Sequence, residues 1–194
     1  MSRACKLLLP DAGPLISLGK INALDLLLLP NMDIVVVDAV LAETTFDKKF
    51  PEAQIIEAFV DEYATVKTTQ EGRALLAALH SKSARPRHAG DFSMLRFLLS
   101  QSTAKSPCLV LFEDSDILKQ IRVAETLAAQ REDRPMTTHY LSMAGFLVGL
   151  EKLGLIPSAA SYIAAMENAG RVIKDKTHPL DIPGDGPSTW EPRP

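Results

Sequence analysis

Residues 34–38 read Ile34-Val35-Val36-Val37-Asp38, an unbroken run of β-branched apolar residues that ends in a carboxylate. β-Branched side chains favour extended backbone, and a run without polar alternation is typical of a strand buried on both faces. Strands of this kind occur in parallel sheets that helices cover on both sides. The run therefore predicts a parallel α/β sheet. Every other short apolar run in the chain is then a candidate for a further strand.

Similar runs recur along the chain and alternate with segments of helical periodicity. Strands are expected at residues 6–9, 34–37, 65–68 (as an edge strand) and 109–112, with a further short strand at 135–138. Helices are expected at residues 15–29 (as one helix, or as two with a break at Gly19), 39–44, 52–63, 70–80, 91–100, 116–130, 139–153 and 157–169. This alternation predicts a three-layer α/β/α fold with a central, mostly parallel sheet.

The composition is that of one globular domain with an appended tail. The chain has 194 residues, 46% of them hydrophobic, and a net charge of −3, which argues against a broad basic surface that holds nucleic acid by charge alone. We assign residues 1–175 to the domain and the proline-rich residues 176–194 to a C-terminal tail.

Cys5 and Cys108 adjoin apolar runs, as buried thiols in a reducing compartment would. Because no apolar run approaches the roughly 18 residues that span a bilayer, we expect a cytoplasmic protein that does not bind membranes.

Acidic side chains follow three of the four strongest strands, and another acid opens the helix after a basic loop. The acids are Asp11, Asp38, Glu43, Asp91, Glu113, Asp114 and Asp116. Parallel strands would bring several of them to one edge of the sheet, where ligands bind in such folds. Clustered carboxylates repel one another, and a hard divalent cation with oxygen ligands is the usual resolution. Taken singly, the acids at helix starts are equally well explained as helix caps.

The motifs that carry these acids resemble, in their order along the chain, the motifs of PIN domains. They are Leu8-Leu9-Pro10-Asp11-Ala12-Gly13-Pro14-Leu15-Ile16-Ser17-Leu18, Ile34-Val35-Val36-Val37-Asp38-Ala39-Val40-Leu41-Ala42-Glu43, Gly90-Asp91-Phe92-Ser93-Met94-Leu95, Leu109-Val110-Leu111-Phe112-Glu113-Asp114-Ser115-Asp116, and Thr137-Thr138-His139-Tyr140-Leu141 followed by Gly154-Leu155-Ile156. The resemblance extends over most of residues 6–171. PIN domains are usually metal-dependent ribonucleases, and many are VapC-like toxins that a bound antitoxin protein silences.

This resemblance implies a set of site residues and a cofactor. The implied catalytic acids are Asp11, Glu43, Asp91 and Asp114, and the implied ligands of Mg²⁺ or Mn²⁺ are Asp11, Asp91, Asp114 and Asp116. The last acid of the site stays open among Glu113, Asp114 and Asp116. The candidates for substrate binding are Arg85 and Arg87, in the basic loop before Asp91, and Thr138, which would orient a carboxylate or a water.

Three functions remain open on the sequence. An endoribonuclease that hydrolyses RNA phosphodiesters, as part of a toxin–antitoxin system, ranks first. A catalytically weak or inactive PIN-like binding or regulatory module ranks second, and a hydrolase of small phosphate esters ranks third. The expected partners are RNA and an antitoxin protein. A homodimer is also open, because apolar residues 24–29 and 144–150 could form its interface, although burial in the core is the favoured use.

Overall fold

Five parallel strands form the central sheet, in the order β3-β2-β1-β4-β5. The computed structural model describes residues 5–100, 107–114 and 138–173. Its strands are β1 (Leu7–Pro10), β2 (Asp33–Val37), β3 (Ala64–Lys67), β4 (Cys108–Phe112) and β5 (Thr138–Ser142). Every pairing is parallel, and helices flank the sheet. The predicted α/β class is confirmed, with an architecture consistent with three α/β/α layers.

The helices connect the strands in the order that the periodicity predicts. They are α1 (Ala12–Lys20), α2 (Asp38–Thr45), α3 (Pro51–Tyr63), α4 (Gln70–Ser81), α5 (Ala89–Ser100), α6 (Met143–Lys152) and α7 (Ala159–Asn168), with a short 3-10 helix at Leu24–Leu28. The helix expected at 116–130, most of the strand expected at 135–138, and the tail at 176–194 lie outside the described residues. No helix in the described ranges is long and apolar enough to cross a membrane.

The prediction of a helix over residues 139–153 is wrong at its beginning. Residues 138–142 form β5 instead, and they pair in register with β4, from Cys108↔Thr138 to Phe112↔Ser142. Tyr140 and Leu141 are buried against the core, and this burial outweighs any helical preference of the segment. The helix starts only after Ser142, whose Oγ accepts a capping hydrogen bond from the Gly145 amide at 3.1 Å.

The first helix ends at Lys20, one residue after Gly19, where a break is one of the two alternatives that the sequence leaves open. Gly19 lies inside α1, and a Cβ atom there would come within 3.1 Å of the Ile56 side chain on α3. The glycine therefore permits a close approach of two helices. The chain reverses at Asn22 instead, which adopts a positive φ of 53°.

Asp38 directly follows β2, and its carboxylate links the start of α2 to the start of α4 by hydrogen bonds. Its carboxylate accepts hydrogen bonds from the Thr69 amide (3.0 Å) and the Thr69 hydroxyl (2.8 Å), and Thr69 Oγ1 in turn caps α4 by accepting from the Gly72 amide (3.0 Å). Ser93 on α5 also contacts this group, with Ser93 Oγ 2.6 Å from Thr69 Oγ1. Any Cβ atom at position 72 would overlap the Asp38 carboxylate. The network is buried and joins α2, α4 and α5.

We predict that Gly72→Ala destabilises the protein, although glycine-to-alanine changes inside helices ordinarily stabilise by roughly 1 kcal/mol. The new methyl group would displace the Asp38 carboxylate, and overpacking of a buried site costs roughly 1–3 kcal/mol. Chemical denaturation measures the difference. Ala77→Gly, an exposed change in the same helix, is the control and should cost about 1 kcal/mol. An increase in stability for Gly72→Ala would contradict the described contact.

Candidate functional site

Carboxylates from four segments meet at the carboxyl edge of the sheet. Asp11 follows β1, Glu113 follows β4, Glu43 lies on α2, and Asp91 lies in the first turn of α5. The negative charges of Asp91, Glu43 and Glu113 all raise the pKa of Asp11. We call these four residues the acid cluster. The acid cluster lies between the neighbouring strands β1 and β4, where the strand order reverses. Strands β2 and β3 follow on one side of β1, and β4 and β5 follow on the other.

Asp11 has the most perturbed acidity in the acid cluster. Burial, followed by the charges of the other acids, raises its pKa from 3.8 to about 7, and the Ala12 amide opposes the rise only in part. Asp11 occupies the N-cap position of α1 but makes no side-chain capping hydrogen bond there. Helix capping therefore does not explain why an acid occupies this position.

Glu43 and Asp91 are joined through the first turn of α5. Glu43 Oε1 accepts a hydrogen bond from the Gly90 amide at 3.1 Å, and a Cβ atom at position 90 would lie only 2.8 Å from Glu43 Oε2. Glycine thus allows the helix start to approach the carboxylate. Asp91 Oδ2 lies 3.1 Å from His88 Nδ1. Loss of water around Glu43, with the neighbouring Asp91, raises the pKa of Glu43, and its bond to Gly90 opposes the rise.

Glu113 forms an ion pair with an arginine that no sequence pattern singles out. Arg171, which follows α7, donates from Nη2 to Glu113 Oε2 at 2.7 Å and from Nε to Ser17 Oγ at 2.8 Å. A lone arginine after a helix-ending glycine carries no sequence signal for this role. Glu113 is 9% exposed, and within the described part of the chain its other oxygen, Oε1, is buried without a hydrogen-bond partner. A buried acceptor in this state is available to a ligand.

The structure brings together three of the four predicted catalytic acids. Asp11, Glu43 and Asp91 belong to the acid cluster. Of the alternatives for the last acid, Glu113 belongs to the cluster, whereas the Asp114 side chain is exposed. Asp116 lies outside the described residues.

The three residues expected to bind substrate fall in two different places. Arg85 and Arg87 are exposed in the loop before α5. Thr138 begins β5 opposite Cys108, so it lies at the amino edge, roughly 13 Å along the strand from the carboxyl end. Its expected role in orienting a site carboxylate does not fit this position.

The acid cluster fits a hard divalent cation by the chemistry of its donors. All four side chains offer carboxylate oxygens, the ligands that Mg²⁺ and Mn²⁺ prefer, and Glu113 Oε1 lacks a partner. Among the described residues, however, no three acidic, histidine or cysteine side chains already stand in a metal-holding arrangement. Small side-chain rotations toward a common point would be needed to form one.

No protein-family model matches this chain, and no similar curated protein or solved structure is found. The resemblance to PIN domains is therefore carried by the order of the motifs alone, and the chain is assigned to no family.

We predict that Asp11→Asn stabilises the protein increasingly as the pH rises from about 4 to about 7. Because the pKa of Asp11 is higher in the folded than in the unfolded state, the folded protein binds the extra proton, and ionisation on raising the pH destabilises it. A rise from 3.8 to about 7 corresponds to at most about 4 kcal/mol, which the partial solvent access of Asp11 reduces.

Denaturation of both proteins across this pH range measures the difference. Asp61→Asn, on the exposed face of α3, is the matched control and should show no such trend. A stability difference between wild type and Asp11→Asn that does not change with pH would contradict the assigned acidity of Asp11.

Proposed function

We propose that this protein is a metal-dependent endoribonuclease that hydrolyses RNA phosphodiesters at the acid cluster. The observation that carries the proposal is the gathering of the acid cluster at the carboxyl edge of the sheet, where partial burial and three like charges raise the pKa of Asp11 to about 7. A protein that gathers like charges in this way, at the edge where α/β sheets bind ligands, destabilises itself unless a ligand compensates.

A divalent cation is the compensating ligand that suits these donors. Asp11 and Asp91 would hold it most directly, with Glu113 Oε1 as a further oxygen and Glu43 anchored nearby by the Gly90 amide. When bound, Mg²⁺ or Mn²⁺ supplies charge stabilisation and an activated water for phosphodiester hydrolysis. Since Arg171 already holds Glu113 Oε2, it fixes the orientation in which Oε1 is presented.

RNA suits the surroundings of the acid cluster better than a small phosphate ester does. Arg85 and Arg87 are exposed in the loop that leads into Asp91, so they can hold backbone phosphates beside the scissile one. The net charge of −3 means that this local pair, and not the whole surface, would provide the attraction. A toxin role with an antitoxin partner follows from the PIN resemblance and forms part of the same proposal.

A binding or regulatory module is the second candidate. It is favoured by the ion pair of Arg171 with Glu113, because an internal cation already neutralises one of the acids. The lack of a ready metal-holding group in the described ranges points the same way. In such a module the acid cluster would recognise a basic partner instead of a metal ion.

Purified protein incubated with single-stranded RNA and Mg²⁺ or Mn²⁺ should cleave it, and Asp11→Asn should abolish the cleavage. The loss should exceed the roughly 10–100-fold that removal of an outer-shell partner of a metal site causes. Asp61→Asn, purified in parallel, is the control and should cleave like the wild type. Equal cleavage by Asp11→Asn, or cleavage in the presence of a chelator, would identify a contaminating nuclease. A folded protein that neither cleaves RNA nor binds Mn²⁺ in calorimetry would favour the regulatory module.

Reversal of charge at Arg85 and Arg87 together should weaken RNA binding and reduce its dependence on salt. Loss of two phosphate contacts lowers the slope of log affinity against log salt by about 1.4 on single strands. Filter binding over a salt series in the absence of metal measures that slope. The control is reversal at Lys48, which is exposed and paired with Glu57 on α3. An unchanged slope would remove both arginines from the RNA-binding surface.

A further inference from the structure

A cavity of about 340 Å³ adjoins the acid cluster and shares Glu43 with it. Its lining includes Glu43, Phe46, Asp47, Phe50, Arg85 and Pro86. The volume lies at the lower end of the range for small-molecule sites, so the cavity suits one flat ring system and not an extended ligand. We call it the Phe50 cavity.

Two phenylalanines line the Phe50 cavity while remaining exposed to water. Phe50 is 55% exposed and Phe46 is 39% exposed. The Phe46 ring packs edge-on against the His80 ring, with centroids 5.6 Å apart and planes at 84°, and this contact fixes its orientation. Exposed aromatic rings on the walls of a concave site are typical of contact surfaces for a planar ligand.

The charges around the Phe50 cavity select the chemistry of its ligand. Glu43 and Asp47 contribute two carboxylates, against the single guanidinium of Arg85. This balance disfavours a phosphate inside the cavity and favours a neutral group that donates N–H hydrogen bonds. Asp47 Oδ1 accepts one bond from the Lys49 amide at 3.1 Å, which leaves further lone pairs on the carboxylate for a ligand.

We propose that the Phe50 cavity binds an unpaired nucleobase of single-stranded RNA, next to the phosphodiester at the acid cluster. The base stacks on Phe50, its N–H groups donate to Glu43 or Asp47, and Arg85 binds the adjoining phosphate at the cavity mouth. This inference rests on the proposed function for the identity of the polymer. It adds that the enzyme selects unpaired RNA, because a paired base could not enter the cavity.

The test is binding of a single-stranded oligoribonucleotide that carries one fluorescent aminopurine base, measured in a chelator so that no cleavage occurs. Entry into the cavity moves the base from its stack on neighbouring bases onto Phe50, which changes its emission, and Phe50→Ala should weaken binding roughly 5- to 150-fold, the range expected for one base–aromatic stack. Phe50→Trp should bind like the wild type. Tyr63→Ala is the matched control, since Tyr63 is 47% exposed and directly precedes β3, at the amino edge of the sheet. Thermal melting of each variant shows that it is folded.

Cleavage by the same proteins with Mn²⁺ separates this inference from the proposed function. Binding that depends on Phe50, without any cleavage, would support the base site and count against the nuclease. Cleavage with equal probe binding by wild type and Phe50→Ala would overturn the base site and leave the nuclease intact. An emission that stays unchanged when the wild type is added would also overturn the base site. Full probe binding by Phe50→Leu would overturn it too, because RNA binding would then need an apolar side chain at this position and not an aromatic ring on which a base stacks.

Discussion

The parallel pairing of β1 with β4 is the constraint on which the candidate site depends. The register runs from Leu7↔Cys108 to Pro10↔Leu111, and the Asp11 amide extends it by donating to the Leu111 carbonyl at 2.9 Å. The pairing brings the residues after both strands, Asp11 and Glu113, to one edge of the sheet, and every residue of the two paired strands is apolar. At this edge the chain also changes its direction across the sheet, which is where open α/β sheets bind ligands.

The acids at this edge differ in how many hydrogen-bond or ion-pair partners the protein supplies to their carboxylates. Glu43 accepts from the Gly90 amide, Asp91 contacts His88, and Glu113 is paired with Arg171. Asp11 loses most of its water, is opposed by three like charges and is assisted only by the Ala12 amide, so its pKa rises to about 7. Asp38, one strand away, shows the contrasting use of a strand-end acid, since Thr69 and Ser93 donate to it within a buried network. The first arrangement is typical of a functional site and the second of a structural one.

The sequence predicts most of this fold because its strands are short, continuous apolar runs. The runs at 34–37 and 109–112 are recognisable as strands without any knowledge of the strands they pair with. In a parallel sheet, the acids that follow them are then expected at its carboxyl edge. The last acid could not be chosen from sequence, since Glu113 and Asp114 are neighbours and only the local backbone decides which one is buried. Residues 139–142 of β5 are predicted as helix because the apolar residues after His139 suit a helix as well as a strand, and the pairing of β5 with β4 is a tertiary effect. Arg171 lies 58 residues from Glu113 in the chain, and no local pattern links the two.

The acidity of Asp11 is the most direct test of whether these carboxylates form one ligand-binding site. The measurement is a pH titration of the Asp11 carboxyl carbon by NMR, in the absence of metal and again with Mg²⁺. We expect a pKa of about 7 without metal and a clear decrease when the cation binds. A pKa close to the ordinary value of 3.8, unchanged by Mg²⁺, would contradict both the crowding of the acid cluster and its use as a metal site.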